Sequence, residues 1–239
     1  MSPAAGVLHL IPVTLADGDD ARAVLPQTTI AAITALDYFI VENEKSARRF
    51  LQSAGHPRPL QQLALERFDK DSGPQRAARL LQPLLEGRSA GLLSEAGCPA
   101  VADPGALLVA AAHRRRLRVV PHVGPASLLL ALMASGFNGQ RFAFHGYLPV
   151  PKDECRRQIG KLERESKIAD MTQIFIETPY RNDALLRALL DTCDGKTRLC
   201  VASDLTLATE TVRSQTIAEW KKEKLEPGRR PSVFVLYAR

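Results

Sequence analysis

The sequence lacks the short motifs that identify the commonest nucleotide-binding sites. It has no Gly-x-Gly-x-x-Gly after a predicted strand and no Gly-x-x-x-x-Gly-Lys-Ser/Thr, which argues against nicotinamide cofactors and P-loop nucleotides.

Cysteines and aromatic residues are also scarce. The four cysteines, Cys98, Cys155, Cys193 and Cys200, form no Cys-x-x-Cys pair, so we expect reduced thiols and no metal site. Aromatic residues make up 5% of the 239-residue chain, which leaves room only for a small base-stacking platform.

No run approaches the ~20 apolar residues of a membrane span. The N-terminal stretch lacks the charged start and apolar core of a secretory signal, so we expect a cytoplasmic protein. The net charge of +6 and the pI of about 9.3 allow a polyanionic partner without requiring one.

Apolar runs and amphipathic stretches alternate along the chain, which predicts an α/β protein. The first half reads as five strands separated by helices, typical of a parallel sheet. In the second half the strands 198–204 and 210–217 follow each other closely, which predicts a hairpin and hence a mixed sheet. We predict a domain boundary near Pro121, giving domains 1–121 and 122–239.

The stretch Leu92–Gly105, LLSEAGCPAVADPG, places turn residues and two carboxylates directly behind a predicted strand. Ligands of open α/β sheets bind beyond the carboxyl ends of strands. Glu95 is expected to face solvent or a ligand. Asp103 precedes Pro104 and is equally well explained as the N-cap of a helix that starts at Pro104.

Four further segments place turn or polar residues at predicted strand ends in both halves of the chain. They are PHVGPAS (121–127), HGYLP (145–149), IETPYR (176–181) and ASDLT (202–206). Each alone fits an ordinary turn, but together they are what a cleft between two domains would look like.

These motifs, in this order, resemble the tetrapyrrole methylase family. They are most similar to the branch that methylates a cytidine ribose 2′-hydroxyl in small-subunit ribosomal RNA. Ser94–Gly105 match its Ser-Asp-Ala-Gly-x-Pro…Asp-Pro-Gly loop with Glu95 in place of Asp. Val123–Ser127 match its Pro-Gly-Pro turn with Val in the first position. The segments Pro12–Asp17 and Glu42–Lys45 depart from the branch, the former being shorter and without glycine.

The resemblance implies two α/β domains with S-adenosylmethionine in the cleft between them, usually in a homodimer. It implies contacts to this cofactor from residues of both halves. These are Ser94, Glu95, Ala96, Gly97, Val101, Asp103, Gly124, Pro125, Ser127, Tyr147, Leu148, Ala202 and Leu205.

A hydroxyl acceptor must lose a proton during methyl transfer. Glu177 is the candidate base, with Arg181 orienting an anionic group and Glu42 as a weaker candidate base. Mutual pairing of Glu177 and Arg181 is an equally good explanation.

RNA is the expected acceptor, and the basic clusters 113–118, 221–224 and 229–230, with Arg157, Lys161 and Arg164 on one helix face, could contact it. A solvated helix face explains the last three residues equally well. Methylation of a small molecule such as a tetrapyrrole, or cofactor binding without catalysis, remain alternatives.

Overall fold

The computed structural model describes residues 4–16, 18–223 and 227–239. Asp17 and Lys224, which belong to two of the sequence segments above, lie outside the described residues. The chain divides into two compact units, Met1–Ala126 and Ser127–Arg239. None of the helices in the described part is long and apolar enough to cross a membrane.

The first unit contains a parallel five-stranded sheet in the order β3-β2-β4-β1-β5. The strands are β1 (Val7–Leu10), β2 (Tyr38–Val41), β3 (Ala64–Arg67), β4 (Ala90–Leu93) and β5 (Arg118–Pro121). All residues of β2 and β4 are buried. Burial on both faces is typical of a parallel sheet covered by helices, and it explains why these strands read as continuous apolar runs.

Helices cover both faces of this sheet. They are α1 (Ala21–Val24), α2 (Gln27–Ala35), α3 (Glu44–Ser53), α4 (Pro74–Leu80), α5 (Gln82–Leu85) and α6 (Gly105–Arg114), with a 3-10 turn at Leu60–Gln62. Tyr38 and Ile40 pack in the core formed with α4, α5 and α6. Phe39 and Val41 pack in the core formed with α1, α2 and α3. The alternation follows from the two-residue period of a strand.

The second unit contains a mixed five-stranded sheet in the order β6-β7-β10-β8-β9. Its strands are β6 (Phe142–Tyr147), β7 (Thr172–Glu177), β8 (Arg198–Ser203), β9 (Thr211–Thr216) and β10 (Ser232–Tyr237). Within this sheet, β6 and β7 pair in parallel. β10 pairs antiparallel with both β7 and β8, and β8 and β9 form an antiparallel hairpin. The predicted hairpin and mixed sheet are therefore confirmed.

Four helices of the described residues belong to the second unit: α7 (Ser127–Ser135), α8 (Lys152–Ala169), α9 (Asn182–Thr192) and α10 (Ile217–Trp220). A 3-10 turn, Pro179–Arg181, precedes α9. The inward residues of α8 and α9, such as Ile159, Leu162 and Leu189, form one core with Phe175 and Phe234. A capping box between Thr216 and Glu219 fixes the start of α10.

The predicted fold class, a parallel and a mixed α/β unit, is confirmed. One detail of the prediction was wrong. The helix expected to start at Pro104 begins at Gly105, with Pro104 in the cap position. The carboxylate of Asp103 accepts the Gly105 N–H, so it still satisfies an N-terminal donor of α6.

Candidate active site

The loop after β4 is tied together by its own polar groups. The Ser94 hydroxyl lies 3.2 Å from the carbonyl oxygens of both Ala96 and Gly97 and donates to them. Glu95 and Ala96 are exposed, and Gly97 is buried with a φ of +68°. A glycine is the residue that adopts this left-handed conformation at least cost, and here it turns the chain sharply behind the strand.

Asp103 organises the second half of this loop. Its Oδ1 accepts the N–H groups of Ala100 at 2.8 Å and Gly105 at 2.7 Å. Ala100 and Ala102 have φ values of 67° and 60°, an unfavourable conformation for an L-residue. Burial raises the pKa of Asp103, and the two backbone donors oppose that shift. Two alanines held in left-handed geometry indicate a loop whose shape is fixed by its surroundings.

One oxygen of Asp103 has no protein partner. Its Oδ2 is buried and makes no hydrogen bond to any residue that the structure describes. Burying a carboxylate oxygen without a donor costs free energy, so the atom is suited to accept a hydrogen bond from a ligand. Val101, two residues before Asp103 in the same loop, is 51% exposed.

The second glycine turn follows β5. The carbonyl of Val123 accepts the Thr29 hydroxyl at 2.8 Å, which fastens the turn to α2. A Cβ at Gly124 would lie 2.4 Å from Cβ of Pro12, so only glycine fits there. Ser127 is half-buried and begins α7.

The two glycine turns meet inside the first unit. The Cys98 thiol lies 3.5 Å from the carbonyl oxygen of Pro125, and a Cβ at Gly97 would lie 3.6 Å from the same oxygen. The segment after β1 is attached to the first of these turns through an isolated antiparallel bridge between Val13 and Gly97. In this bridge the Val13 N–H donates to the Gly97 carbonyl at 2.9 Å. Three segments that are distant in sequence therefore form one wall.

Three carboxylates gather at this edge of the sheet. Glu42 directly follows β2, and β2 lies next to β4, which Glu95 and Asp103 follow. The pKa of Glu42 is raised by its burial, and further by the negative charges of Glu95 and Asp103. A carboxylate with a raised pKa is a stronger base than an ordinary glutamate.

Glu177, the predicted base, is committed to structural contacts in the second unit. Its side chain is 1% exposed, and Oε2 lies 3.0 Å from Nη2 of Arg181. Its Oε1 accepts the N–H of Thr178 at 2.7 Å and the Thr178 hydroxyl at 3.2 Å. Pairing with Arg181, the alternative weighed in the sequence analysis, is the arrangement present.

The remaining predicted contacts of the second unit differ in accessibility. Tyr147 is 59% exposed at the end of β6, whereas the side chains of Leu148, Ala202 and Leu205 are buried. Asp204, which lies between Ala202 and Leu205 in the sequence, accepts the Thr209 hydroxyl and pairs with Arg230 at 3.4 Å. Leu148, Ala202 and Leu205 expose almost no surface to a ligand.

Sequence reasoning missed a histidine pair in the first unit. Nδ1 of His9 lies 2.9 Å from Nε2 of His122, and the two rings stack. Burial lowers the pKa of both, and for His9 the charges of His122 and Arg118 lower it further. The available signal was positional, because His9 is in β1, His122 follows β5, and these strands are neighbours. Within the described residues, no cluster of three or more His, Cys, Asp or Glu side chains is arranged to hold a metal ion.

The model of the family described as "Tetrapyrrole (Corrin/Porphyrin) Methylases" matches residues 15–221. The chain belongs to this family. As a member of the tetrapyrrole methylases it is a methyltransferase, and the family predicted from the sequence motifs is confirmed.

Curated relatives and solved structures agree with this assignment. The chain is 35% identical to "Ribosomal RNA small subunit methyltransferase I" of Xylella fastidiosa over 89% of this chain and 73% of that protein. It is 31% identical to the protein of the same name from Escherichia coli O157:H7, over 97% and 77%. Diphthine synthase shares the fold with a TM-score of 0.66 at 14% identity, covering 98% of this chain and 90% of that one. The methyltransferase CobJ has a TM-score of 0.61 at 18% identity over both whole chains.

Proposed function

We propose that this tetrapyrrole methylase transfers a methyl group from S-adenosylmethionine to a ribose 2′-hydroxyl of small-subunit ribosomal RNA. The observation that carries the choice of acceptor is the identity with relatives named as small-subunit ribosomal RNA methyltransferases, which extends over nearly the whole chain. The solved structures of the fold are too distant in sequence to favour a small-molecule acceptor. A cytoplasmic homodimer is part of the same proposal, and light scattering of the purified protein tests the dimer.

The wall formed by the two glycine turns is the proposed donor site in the first unit. Three features support it. Gly97 and Gly124 let the two turns pack closely against Leu15, Pro125 and Pro12, which fixes the shape of the wall. The Asp103 Oδ2 is a buried acceptor in need of a donor. The carboxylates of Glu42, Glu95 and Asp103 complement a ligand that carries hydroxyls, an ammonium group and a sulfonium charge.

When bound, S-adenosylmethionine supplies an electrophilic methyl group on a positively charged sulfur, and the thioether that leaves is neutral. The protein must then hold both reactants in line, exclude water and accept the proton of the hydroxyl. Loops fixed by Asp103 and by the Val13 bridge provide rigid positioning.

Glu42 is the proposed proton acceptor, in place of Glu177. Its raised pKa and its position beside Glu95 and Asp103 support this role, whereas the Glu177 side chain is almost fully buried, with Thr178 on Oε1 and the Arg181 guanidinium 3.0 Å from Oε2. Glu42→Gln should lower the rate of methyl transfer by at least about 100-fold, with a smaller loss of donor affinity because one complementary negative charge is removed. Glu177→Gln should change stability more than the rate of the chemical step.

The decisive experiment incubates the protein with tritiated methyl donor and small ribosomal subunits from cells that lack the protein. We expect label in small-subunit RNA, in a dinucleotide that resists alkaline hydrolysis because its ribose 2′-oxygen carries the methyl group. Glu42→Gln serves as the matched inactive control. Label that appears in a small metabolite and not in RNA would refute the proposed acceptor.

A further inference from the structure

A groove of about 780 Å³ lies along the outer side of α8 in the second unit. Its wall residues include Arg156, Arg157, Gly160, Lys161, Arg164 and Thr192. The opposite side of α8 is apolar and buried, with Cys155, Ile159 and Leu162 at helical spacing. Because that side is fixed in the core, the basic residues must face outward.

The positive charges of this basic groove are only partly neutralised. Arg157 and Arg164 are exposed and make no ion pair with any described residue, while Lys161 lies 3.7 Å from Glu165. The two acidic residues that line the groove are Glu154 and Glu163.

Glu163 is held in place by hydrogen bonds from the segment after α9, and it keeps its negative charge. One of its oxygens accepts both the Asp194 N–H at 2.8 Å and the Thr197 hydroxyl at 2.5 Å. Arg156 pairs with Asp191 of α9 at 3.0 Å, which fixes one end of the groove. With four basic and two acidic residues in its wall, the groove presents a net positive charge to solvent.

Gly160 leaves the middle of the groove open. It lies inside an 18-residue helix, where glycine costs about 1 kcal/mol relative to alanine. A Cβ there would lie 3.6 Å from Nη1 of Arg164 and 3.9 Å from Thr192, so packing does not require the glycine. A helix that bears this cost without a packing reason is consistent with a ligand that approaches its backbone.

We propose that the basic groove binds the sugar-phosphate backbone of the RNA substrate. Arg157, Lys161 and Arg164 are spaced over about 10 Å of helix at ~1.5 Å per residue. That length corresponds to about three phosphates of a duplex strand at ~3.4 Å each. The groove begins at Pro149, just past β6 and the exposed Tyr147. This inference rests on the proposed function, since it assumes an RNA acceptor.

The test measures binding of a fluorescein-labelled 20-nucleotide polyuridine RNA by fluorescence anisotropy between 50 and 300 mM salt. The double variant Arg157→Gln, Arg164→Gln should bind on the order of tenfold more weakly at low salt. Its salt slope should be smaller by about 1.4, from about 0.7 for each lost phosphate contact of a single strand. Both residues are exposed, so thermal stability should be unchanged.

Two further variants separate charge, shape and general electrostatics. Gly160→Leu keeps every charge and removes a helix-weakening glycine, so it should raise thermal stability while weakening RNA binding. Lys70→Gln with Arg79→Gln removes the same charge from exposed positions of the first unit outside the basic clusters and is the matched control. If this control loses as much affinity as the groove variant, or if the groove variant binds like the parent, the inference is refuted.

Methyl transfer distinguishes this inference from the proposed function. With small ribosomal subunits as substrate, the groove variant should show a raised KM and an unchanged kcat. Normal methylation of small-subunit RNA with an unchanged KM would overturn the groove and leave the proposed function intact. Absence of RNA methylation by the parent would overturn the proposed function, whereas polyuridine binding tests the groove by itself.

Discussion

The side chain of Asp103 offers the sharpest test of how the candidate donor loop is held. Replacing it with alanine leaves the N–H groups of Ala100 and Gly105 without their acceptor. A hydrogen bond to a charged acceptor contributes about 1.5 to 3 kcal/mol, and we take about 1 kcal/mol for each here because the site is only half-buried. Asp103→Ala should therefore lower the free energy of unfolding by about 2 kcal/mol.

Asp103→Asn is the matched control, because its amide oxygen can still accept both N–H groups. The pKa of Asp103 is raised in the folded protein, so the charged form is penalised there. The folded state holds the proton more tightly than the unfolded chain, and this contribution to stability is lost as the pH rises through the folded pKa. At neutral pH the uncharged asparagine should thus keep stability within about 0.5 kcal/mol of the parent.

Urea unfolding followed by circular dichroism measures both variants, and an m-value near 2 kcal/mol/M converts the alanine effect into about 1 M urea. Titration calorimetry with S-adenosylmethionine should show a large loss of affinity for the alanine variant, since the loop loses its shape. Equal stability of Asp103→Ala and the parent would refute the reasoning. So would an asparagine variant as unstable as the alanine variant.

Three more predictions concern the same unit. Gly124→Ala should lower the free energy of unfolding by about 2 kcal/mol in urea, because the new Cβ would overlap Pro12. An unchanged urea midpoint would contradict the close approach of Gly124 to Pro12. Ala100→Gly should stabilise by about 0.5 to 1 kcal/mol by relieving the positive φ, and a loss of stability would show that the alanine is not strained. The lowered pKa values of His9 and His122 mean that the unfolded chain binds protons more readily, so stability should fall as the pH drops below about 6.5. His9→Phe should weaken this dependence, and an identical pH profile would remove the pair as its source.

The fold could be predicted because local patterns and tertiary structure agree. Tyr38–Val41 and Ala90–Leu93 are short apolar runs between helices, which is the pattern of a parallel sheet, and the two adjacent strands β8 and β9 allowed little besides a hairpin. Helix ends were less predictable. The helix expected to start at Pro104 begins one residue later, at Gly105.

The site was predictable as segments and not as contacts. The glycine turns at Gly97 and Gly124 are visible in the sequence, but the approach of Cys98 to the Pro125 carbonyl depends on which strands are neighbours. The same holds for Glu42, whose pKa is raised first by burial and further by the charges of Glu95 and Asp103, more than fifty positions away. The pairing of Glu177 with Arg181 was foreseen as one of two arrangements, because sequence spacing cannot tell a buried ion pair from two groups that await a substrate.

The bridge between Val13 and Gly97 couples the motion of the loop after β4 to that of the segment after β1. The Val13 N–H binds the Gly97 carbonyl at 2.9 Å, and the Gly97 N–H binds the Thr14 carbonyl at 3.4 Å. Neither segment can move away without breaking the hydrogen bonds that it shares with the other, so we expect the two to open cooperatively. In amide hydrogen exchange, Val13 and Gly97 would then share a single opening rate, and that rate would set the upper limit for turnover if product leaves by this route.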